Sequence, residues 1–301
     1  MKIIYFGTPE FAVKPLEILS KQEDIEILSV ITQPDKPVGR KQILTPPPVK
    51  TTALELGLEV LQPNSKKELK EILQKYKNVD FFVVIAYGMI LTKEALAMPK
   101  FGAINVHPSL LPKYRGASPI QEALLQGDQI TGVSIMKMDD QMDHGPVYLV
   151  KKFPISPLDT YETLSKQLSA FSSDLLPQVL KDTYNNEFSP IRQPHDQATY
   201  CQKISKEEGK IDFTILAARE ILNRLRAYTP WPGIYTILDG KKLSILEGEI
   251  SEENNTPGKF IFDKKTLKIG TKSGTFIAKK VQPEGKNPML IQDFLNGYNP
   301  R

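Results

Sequence analysis

The chain has 301 residues, 40% hydrophobic and 25% charged, with a formal net charge of +4. That length favours two domains over one, the composition is that of an ordinary globular protein, and no apolar run is long enough to cross a bilayer. A single cysteine, Cys201, excludes an internal disulfide and a cysteine-cluster metal site, and the three histidines at 107, 144 and 195 show no metal-ligand spacing, so no metal is expected.

The chain opens Met-Lys-Ile-Ile-Tyr-Phe-Gly directly into a strand, with no signal-peptide cleavage site. The expected compartment is therefore the cytoplasm, with no membrane partner. Gly7-Thr8-Pro9-Glu10 turns that strand into a helix over 9–20. This turn has one glycine where a dinucleotide fingerprint needs Gly-x-Gly-x-x-Gly, which disfavours NAD and FAD. A second strand spans 25–32. Residues 33–50 then carry five prolines and the basic residues Lys36, Arg40, Lys41 and Lys50 against one acid, Asp35. Little regular structure is expected there before Pro46, and a long loop in a compact domain is either functional or a solvated connector. Ser65-Lys66-Lys67-Glu68 reads as a capping box opening a helix. Asp80 to Ala86 is a continuous apolar run, the mark of a central parallel strand.

Phe101 to Gly116 follows, and it organises the rest. Ala103, Ile104 and Val106 end a buried strand, on which Asn105 and His107 share one face because side chains alternate. Pro108 and Pro112 then enforce a loop. Further on come a helix over 117–126, a strand over 131–138, the acidic loop 139–146, a strand over 148–153 near a sheet edge and a long helix over 158–184. The pattern beyond changes to a helix over 215–225, short strands with Asp239-Gly240 and Ser273-Gly274 as hairpin signals, and a last short helix. The reading is α/β, a doubly wound, mostly parallel sheet followed by a small OB-like β-barrel. Residues 1–188 form the catalytic domain, 189–204 a linker and 205–301 the β domain. From Ser205 on there are sixteen basic and twelve acidic residues, so the β domain has a surplus of four positive charges.

Strand ends of a parallel sheet gather on one side, so Asp143 from the acidic loop can approach His107. A carboxylate orients an imidazole, an imidazole moves protons near neutral pH, and an asparagine amide donates to an oxyanion. No serine or cysteine nucleophile is evident, so direct acyl-type transfer between two bound substrates suits the set better than a covalent intermediate. Standing alone, Asp143 would read as a turn aspartate; Asp139 and His144 stay closer to that reading.

Several stretches together resemble the methionyl-tRNA formyltransferase family, a branch of the folate-dependent formyltransferases. They are Phe6-Gly7-Thr8-Pro9-Glu10-Phe11-Ala12, Gln33-Pro34-Asp35-Lys36-Pro37-x-Gly39-Arg40, Pro47-Pro48-Val49-Lys50, Ala86-Tyr87-Gly88, Asn105-x-His107-x-Ser109-Leu110-Leu111-Pro112-x-Tyr114-Arg115-Gly116 and Pro230-Trp231-Pro232-Gly233. The resemblance implies 10-formyltetrahydrofolate as donor and the α-amino group of initiator methionyl-tRNA as acceptor, with no metal and a monomeric protein. It implies Asn105, His107 and Asp143 as catalytic residues and Ser109, Leu110, Leu111 and Pro112 as the folate-binding motif. It implies a tRNA-contacting loop in which Arg40 is the residue that enters the acceptor arm; the charge of that loop adds Lys36 and Lys41 as expected phosphate contacts. One departure stands out: the family's aspartate loop commonly reads Met-Asp-x-Gly-x-Asp-Thr-Gly, and here Gln141 and His144 replace the glycine and the threonine. Alternatives from the residues alone are a formyltransferase or formyl-folate hydrolase acting on a small molecule, and a non-catalytic tRNA-binding module.

Overall fold

The computed structural model describes residues 1–39 and 41–298. The chain divides into two compact units: Met1–Gly116 with Ile130–Pro154 and Ser165–Tyr200, and Ala117–Gln129 with Ile155–Leu164 and the chain from Cys201 onward.

The first unit is organised on a seven-stranded sheet. The chain runs through β1 (Lys2–Gly7), α1 (Val13–Leu19), β2 (Glu26–Ile31), a hairpin of β3 (Lys36–Val38) and β4 (Ile43–Thr45), α2 (Pro48–Glu55), β5 (Val60–Leu61), α3 (Lys66–Leu73), β6 (Phe81–Ile85), α4 (Lys93–Leu96) and β7 (Ala103–His107). After β8 (Arg115–Gly116) and α5 (Pro119–Leu125) come β9 (Ile130–Lys137), β10 (Val147–Pro154) and α6 (Tyr161–Tyr184). The strand order is β10-β9-β7-β6-β1-β2-β5, parallel from β7 to β5 and antiparallel at the β10-β9-β7 end. The winding reverses between β1 and β6, the arrangement that leaves a crevice at the carboxyl ends of the strands.

The residue types account for this order. Every residue of β6 and the last five of β1 are buried, as strands covered on both faces must be. Phe6 packs its ring against Phe82 at 5.1 Å and Tyr87 at 5.3 Å between centroids. The single glycine of the first turn serves packing: a Cβ on Gly7 would stand 2.8 Å from the Ala12 Cβ. Ser65 caps α3 by accepting from the Glu68 N–H at 3.2 Å.

One expectation is corrected. The proline-rich stretch before Pro46 is not irregular: β3 and β4 pair in register from Lys36–Thr45 to Val38–Ile43. A two-stranded ribbon has a free outer edge at each strand, where a proline costs no ladder bond. Gly39 and Gln42, at φ of 71° and 49°, supply the turn. The hairpin's base is pinned from outside it. The Lys50 ammonium donates to both Asp35 oxygens at 2.8 Å, and the Gln62 amide donates to Asp35 Oδ1 and the Gln33 carbonyl, each at 2.8 Å.

In the second unit, α5 packs along α7 (Ala218–Tyr228), and the Asn223 amide donates to the Leu125 carbonyl at 3.3 Å. The chain enters through β11 (Tyr200–Cys201) and, after α7, forms β12 (Ile234–Leu238), β13 (Lys241–Ser251), β14 (Phe260–Phe262), β15 (Leu267–Gly270), β16 (Thr275–Pro283), β17 (Met289–Leu290) and α8 (Ile291–Asn296). The six strands make one antiparallel sheet of order β12-β13-β16-β15-β14, with β17 on β16. Two register shifts in β13, at Glu247, help it curl into a half-barrel. Asp239 and Gly240 both have positive φ, as a two-residue hairpin turn requires.

Candidate active site

The site is assembled at the carboxyl end of β7. That strand sits between β6 and β9: Asn105 is paired on both sides, His107 with Ser134 of β9 alone, and the two side chains point to one face. Beyond it, residues 108–116 make a tight loop whose shape is set by Ser134 on β9. The Ser134 hydroxyl donates to the Ser109 carbonyl at 2.7 Å and accepts from the Leu111 N–H at 3.0 Å. Ser109 turns inward, its hydroxyl donating to the Lys113 carbonyl at 2.6 Å. Leu111 is buried against Met136 and Val147. Leu110 and Pro112 are half-buried. Of the four residues of the Ser-Leu-Leu-Pro motif, two therefore build the loop and two remain partly open.

The His107 imidazole donates from Nε2 to the Tyr114 carbonyl at 2.9 Å, because a carbonyl can only accept. That bond fixes the ring and leaves Nδ1 facing Asp143, whose Oδ1 stands 3.6 Å away. The Asn105 amide lies 3.5 Å from the same oxygen. Asp143 Oδ2 is anchored by the Gly116 N–H at 2.8 Å. One carboxylate oxygen is thus held firmly, while the other meets the imidazole and the amide loosely. The His107 and Asp143 side chains are 5% and 14% exposed, so a charge developing beside them is weakly screened. The three residues that the sequence singled out for chemistry converge on this point.

The aspartate loop is clasped from the segment that looked like a featureless linker. The Gln193 carboxamide donates to the carbonyls of Asp143 and Gly145 at 2.9 and 2.7 Å. It accepts from the Arg115 guanidinium through Nε at 3.2 Å and Nη2 at 2.7 Å. The Thr199 hydroxyl accepts from the Tyr114 N–H at 2.9 Å, and its carbonyl from the Arg115 N–H at 2.9 Å. Gly145 is required by close approach, since a Cβ there would lie 1.9 Å from the Lys137 carbonyl oxygen.

His144 is not a solvated turn residue. Its Nδ1 bonds Asp139 Oδ2 at 2.7 Å, and its ring stacks on His195 with centroids 4.0 Å apart and planes 3° from parallel. His195 Nδ1 takes a hydrogen from Arg115 Nη2 at 2.8 Å, so that nitrogen carries the lone pair. Desolvation first, then the facing His144 and the Arg115 charge, hold the His195 imidazole below its ordinary value.

Lys36 and Lys41 stand exposed on the β3–β4 hairpin. The hairpin leaves the end of β2, three strands along the sheet from β7, a separation of about 14 Å at ordinary strand spacing. The structure does not bring them to Asp143. Arg40 lies outside the described residues. Sequence reasoning missed Gln193, Ser134, Thr199 and His195; only Arg115 carried a signal, inside the Tyr-Arg-Gly stretch. Among the described residues no cluster of His, Cys, Asp or Glu is arranged to hold a metal.

A doubly wound sheet with an asparagine, a histidine and an aspartate converging at a strand end, joined to a curled antiparallel β domain, defines a formyl transferase. The formyl transferase family profile matches residues 1–180, and the profile for formyl transferase C-terminal domains matches 203–299. A methionyl-tRNA formyltransferase of Caldicellulosiruptor saccharolyticus is 46% identical over 99% of this chain and 97% of its own length. One from Listeria monocytogenes is 44% identical over 98% of this chain and 95% of its own. The chain belongs to the methionyl-tRNA formyltransferase family. Among solved structures, an N-formyltransferase of Helicobacter canadensis, in complex with folinic acid and dTDP-3-aminofucose, superposes with a TM-score of 0.70 at 21% identity, covering 94% of this chain and 99% of that one. The HypX protein of Aquifex aeolicus in complex with tetrahydrofolic acid superposes at 0.64 and 16% identity, over 100% of this chain and 48% of that one. These two likenesses concern the fold.

Proposed function

We propose that this protein moves a formyl group from 10-formyltetrahydrofolate to the α-amino group of initiator methionyl-tRNA, acting as a monomer in the cytoplasm. The convergence of Asn105, His107 and Asp143 on one carboxylate oxygen carries the chemical part of the reading, and the full-length similarity to methionyl-tRNA formyltransferases supports the substrates. The neutral amine attacks the formyl carbon and a tetrahedral oxyanion develops. The Asn105 amide and the positive charge of a protonated His107 stabilise that oxygen, with Asp143 holding the imidazolium from its Nδ1 side. The attack forms the new carbon–nitrogen bond; the tetrahedral species then collapses as the bond to the folate nitrogen breaks, and the proton lost by the amine passes through the site to that nitrogen. The loop built on Ser109, Leu110, Leu111 and Pro112 forms a wall of the folate site. Lys36 and Lys41 of the hairpin, together with Arg40, meet the tRNA, and the β domain from Ser205 holds it.

The test is the intact mass of the aminoacyl-adenosine released from methionyl-tRNA after incubation with the donor. A gain of one carbonyl unit that depends on both protein and donor is the expected result. Donor consumption with unmodified methionyl-tRNA would move the assignment to the hydrolase or small-molecule reading.

A further inference from the structure

Asp143 has φ of +49°, a left-handed conformation that most side chains disfavour and that aspartate adopts more readily than most, and here it is held in place by its neighbours. Its carboxylate reaches His107 and Asn105 from that backbone, so whatever imposes the conformation also aims the carboxylate. The contact in position to do this is Gln193. Its side chain is buried, with the residue 5% exposed, and both ends of its carboxamide are used: two donations to the loop carbonyls and two acceptances from Arg115. The orientation of the amide is fixed by its neighbours, since a guanidinium offers only donors and the two carbonyls only acceptors. Arg115 is flanked by Tyr114, whose carbonyl fixes His107, and by Gly116, whose N–H anchors Asp143. Gln193 therefore ties the backbone of the aspartate loop to the same three residues that hold the imidazole and the carboxylate.

We propose that Gln193 is the positioning residue of this site, setting the place of the Asp143 carboxylate through the carbonyls of Asp143 and Gly145. The inference rests on the proposed role of Asp143. Gln193→Glu keeps the shape and an acceptor for Arg115 but sets a carboxylate against two carbonyls. Gln193→Met keeps the volume and removes every hydrogen bond.

The deciding experiment is a double-mutant cycle on single-turnover formylation, with Gln193→Glu, Gln193→Met, Asp143→Asn and the combinations, alongside binding of a folate analogue and of methionyl-tRNA. Each Gln193 variant should lower the chemical rate by about tenfold or more, on the scale known for small misplacements of reacting groups, with both affinities within about twofold of wild type. In the Asp143→Asn background the same change should cost less than about threefold, because a residue that acts through Asp143 has little left to position. A Gln193→Glu protein with near-normal turnover overturns the proposal. So does a cycle in which the two losses multiply, which would make Gln193 a structural residue independent of Asp143. Should Asp143→Asn alone turn over normally, the catalytic assignment fails in its own arm of the cycle, and the positioning role fails with it. If one Gln193 variant does not fold, the other carries the cycle.

Discussion

Asp143 divides its carboxylate between two tasks. Oδ2 is spent on the Gly116 N–H, while Oδ1 stands just beyond good hydrogen-bond distance of both the Asn105 amide and His107 Nδ1. Such long contacts tighten when a reacting group arrives between them. Asp143→Asn keeps the size and the Gly116 contact but removes the charge, and His107→Ala removes the imidazole. Each should lower turnover by about 100-fold or more, with binding of a folate analogue retained. Steady-state rates under saturating substrates check this, and near-normal turnover in either variant would sink the mechanism. His195 makes a different prediction. Its imidazole is held below its reference value of 6.5 by desolvation, by His144 and by Arg115, with Arg192 acting in the same direction and Asp139 against it. The unfolded chain therefore takes up the proton first as the pH falls. The His195 contribution to stability is present above the reference value and lost below it. Protonation at Nδ1 also ends the bond from Arg115. Thermal midpoints measured from about pH 8 down to about pH 5 should fall less steeply in His195→Gln than in wild type. Parallel curves would dismiss the effect.

At the scale of elements, the β3–β4 hairpin shows both what the sequence reveals and what it conceals. The central strands were legible because burial on both faces writes itself as an unbroken apolar run, as in Phe81–Ile85, and the site was legible because Asn105 and His107 sit two apart where a strand meets prolines. The hairpin was not, because five prolines over 33–50 obscured a ribbon whose strands need few ladder bonds. The clasp at Gln193 was not, because its partners lie 48 to 78 residues away in the sequence and its own stretch is polar and aperiodic. Every residue of the hairpin's two strands is exposed, Val38, Ile43 and Leu44 included, so its pose depends on the anchor at its base. The Lys50 ammonium, and then the Gln62 amide, hold the Asp35 carboxyl below the usual carboxylate range. If the hairpin reads the acceptor, Arg40→Leu should reduce the ratio of catalytic efficiencies for initiator over elongator methionyl-tRNA. Asp35→Asn, which loosens the base without touching the basic residues, should reduce it in the same direction by a smaller factor. Both ratios are measured at one salt concentration, because phosphate contacts make affinity depend on salt. An unchanged ratio in Arg40→Leu would return that residue to a solvated charge.

For the whole molecule, the way the chain is shared between its units decides how the role of the β domain can be tested. The apolar face of α5 could be read from Ile120, Ala123 and Leu124, but periodicity does not say what a helix packs against. In the structure α5 belongs with α7, and the two meet through buried side chains and the bond from Asn223 to Leu125. Cutting the chain near Ser205 would leave that face of α5 without its partner, so a truncated protein that fails to bind tRNA would prove nothing about recognition. Charge neutralisation asks the question without touching the core. Lys241 and Lys286 lie with Lys242, whose ammonium also stands 4.1 Å from the Tyr235 ring centroid, around one cavity of about 470 Å³ beside the β12–β13 turn that Asp239, Glu284 and Asp293 line as well. Lys279 and Lys280 are engaged in ion pairs with Glu249 and Glu247 at 2.6 and 3.2 Å. Each phosphate that a lysine neutralises adds roughly 0.7 to 0.9 to the slope of log affinity against log salt. Replacing Lys241, Lys242 and Lys286 together by Gln should therefore weaken methionyl-tRNA binding and flatten that slope by about one or more, with folate-analogue binding and the thermal midpoint nearly unchanged. The same three changes with an unaltered slope would show that the surplus positive charge of the β domain does not reach the tRNA through this face, and the recognition would then rest on the hairpin of the first unit.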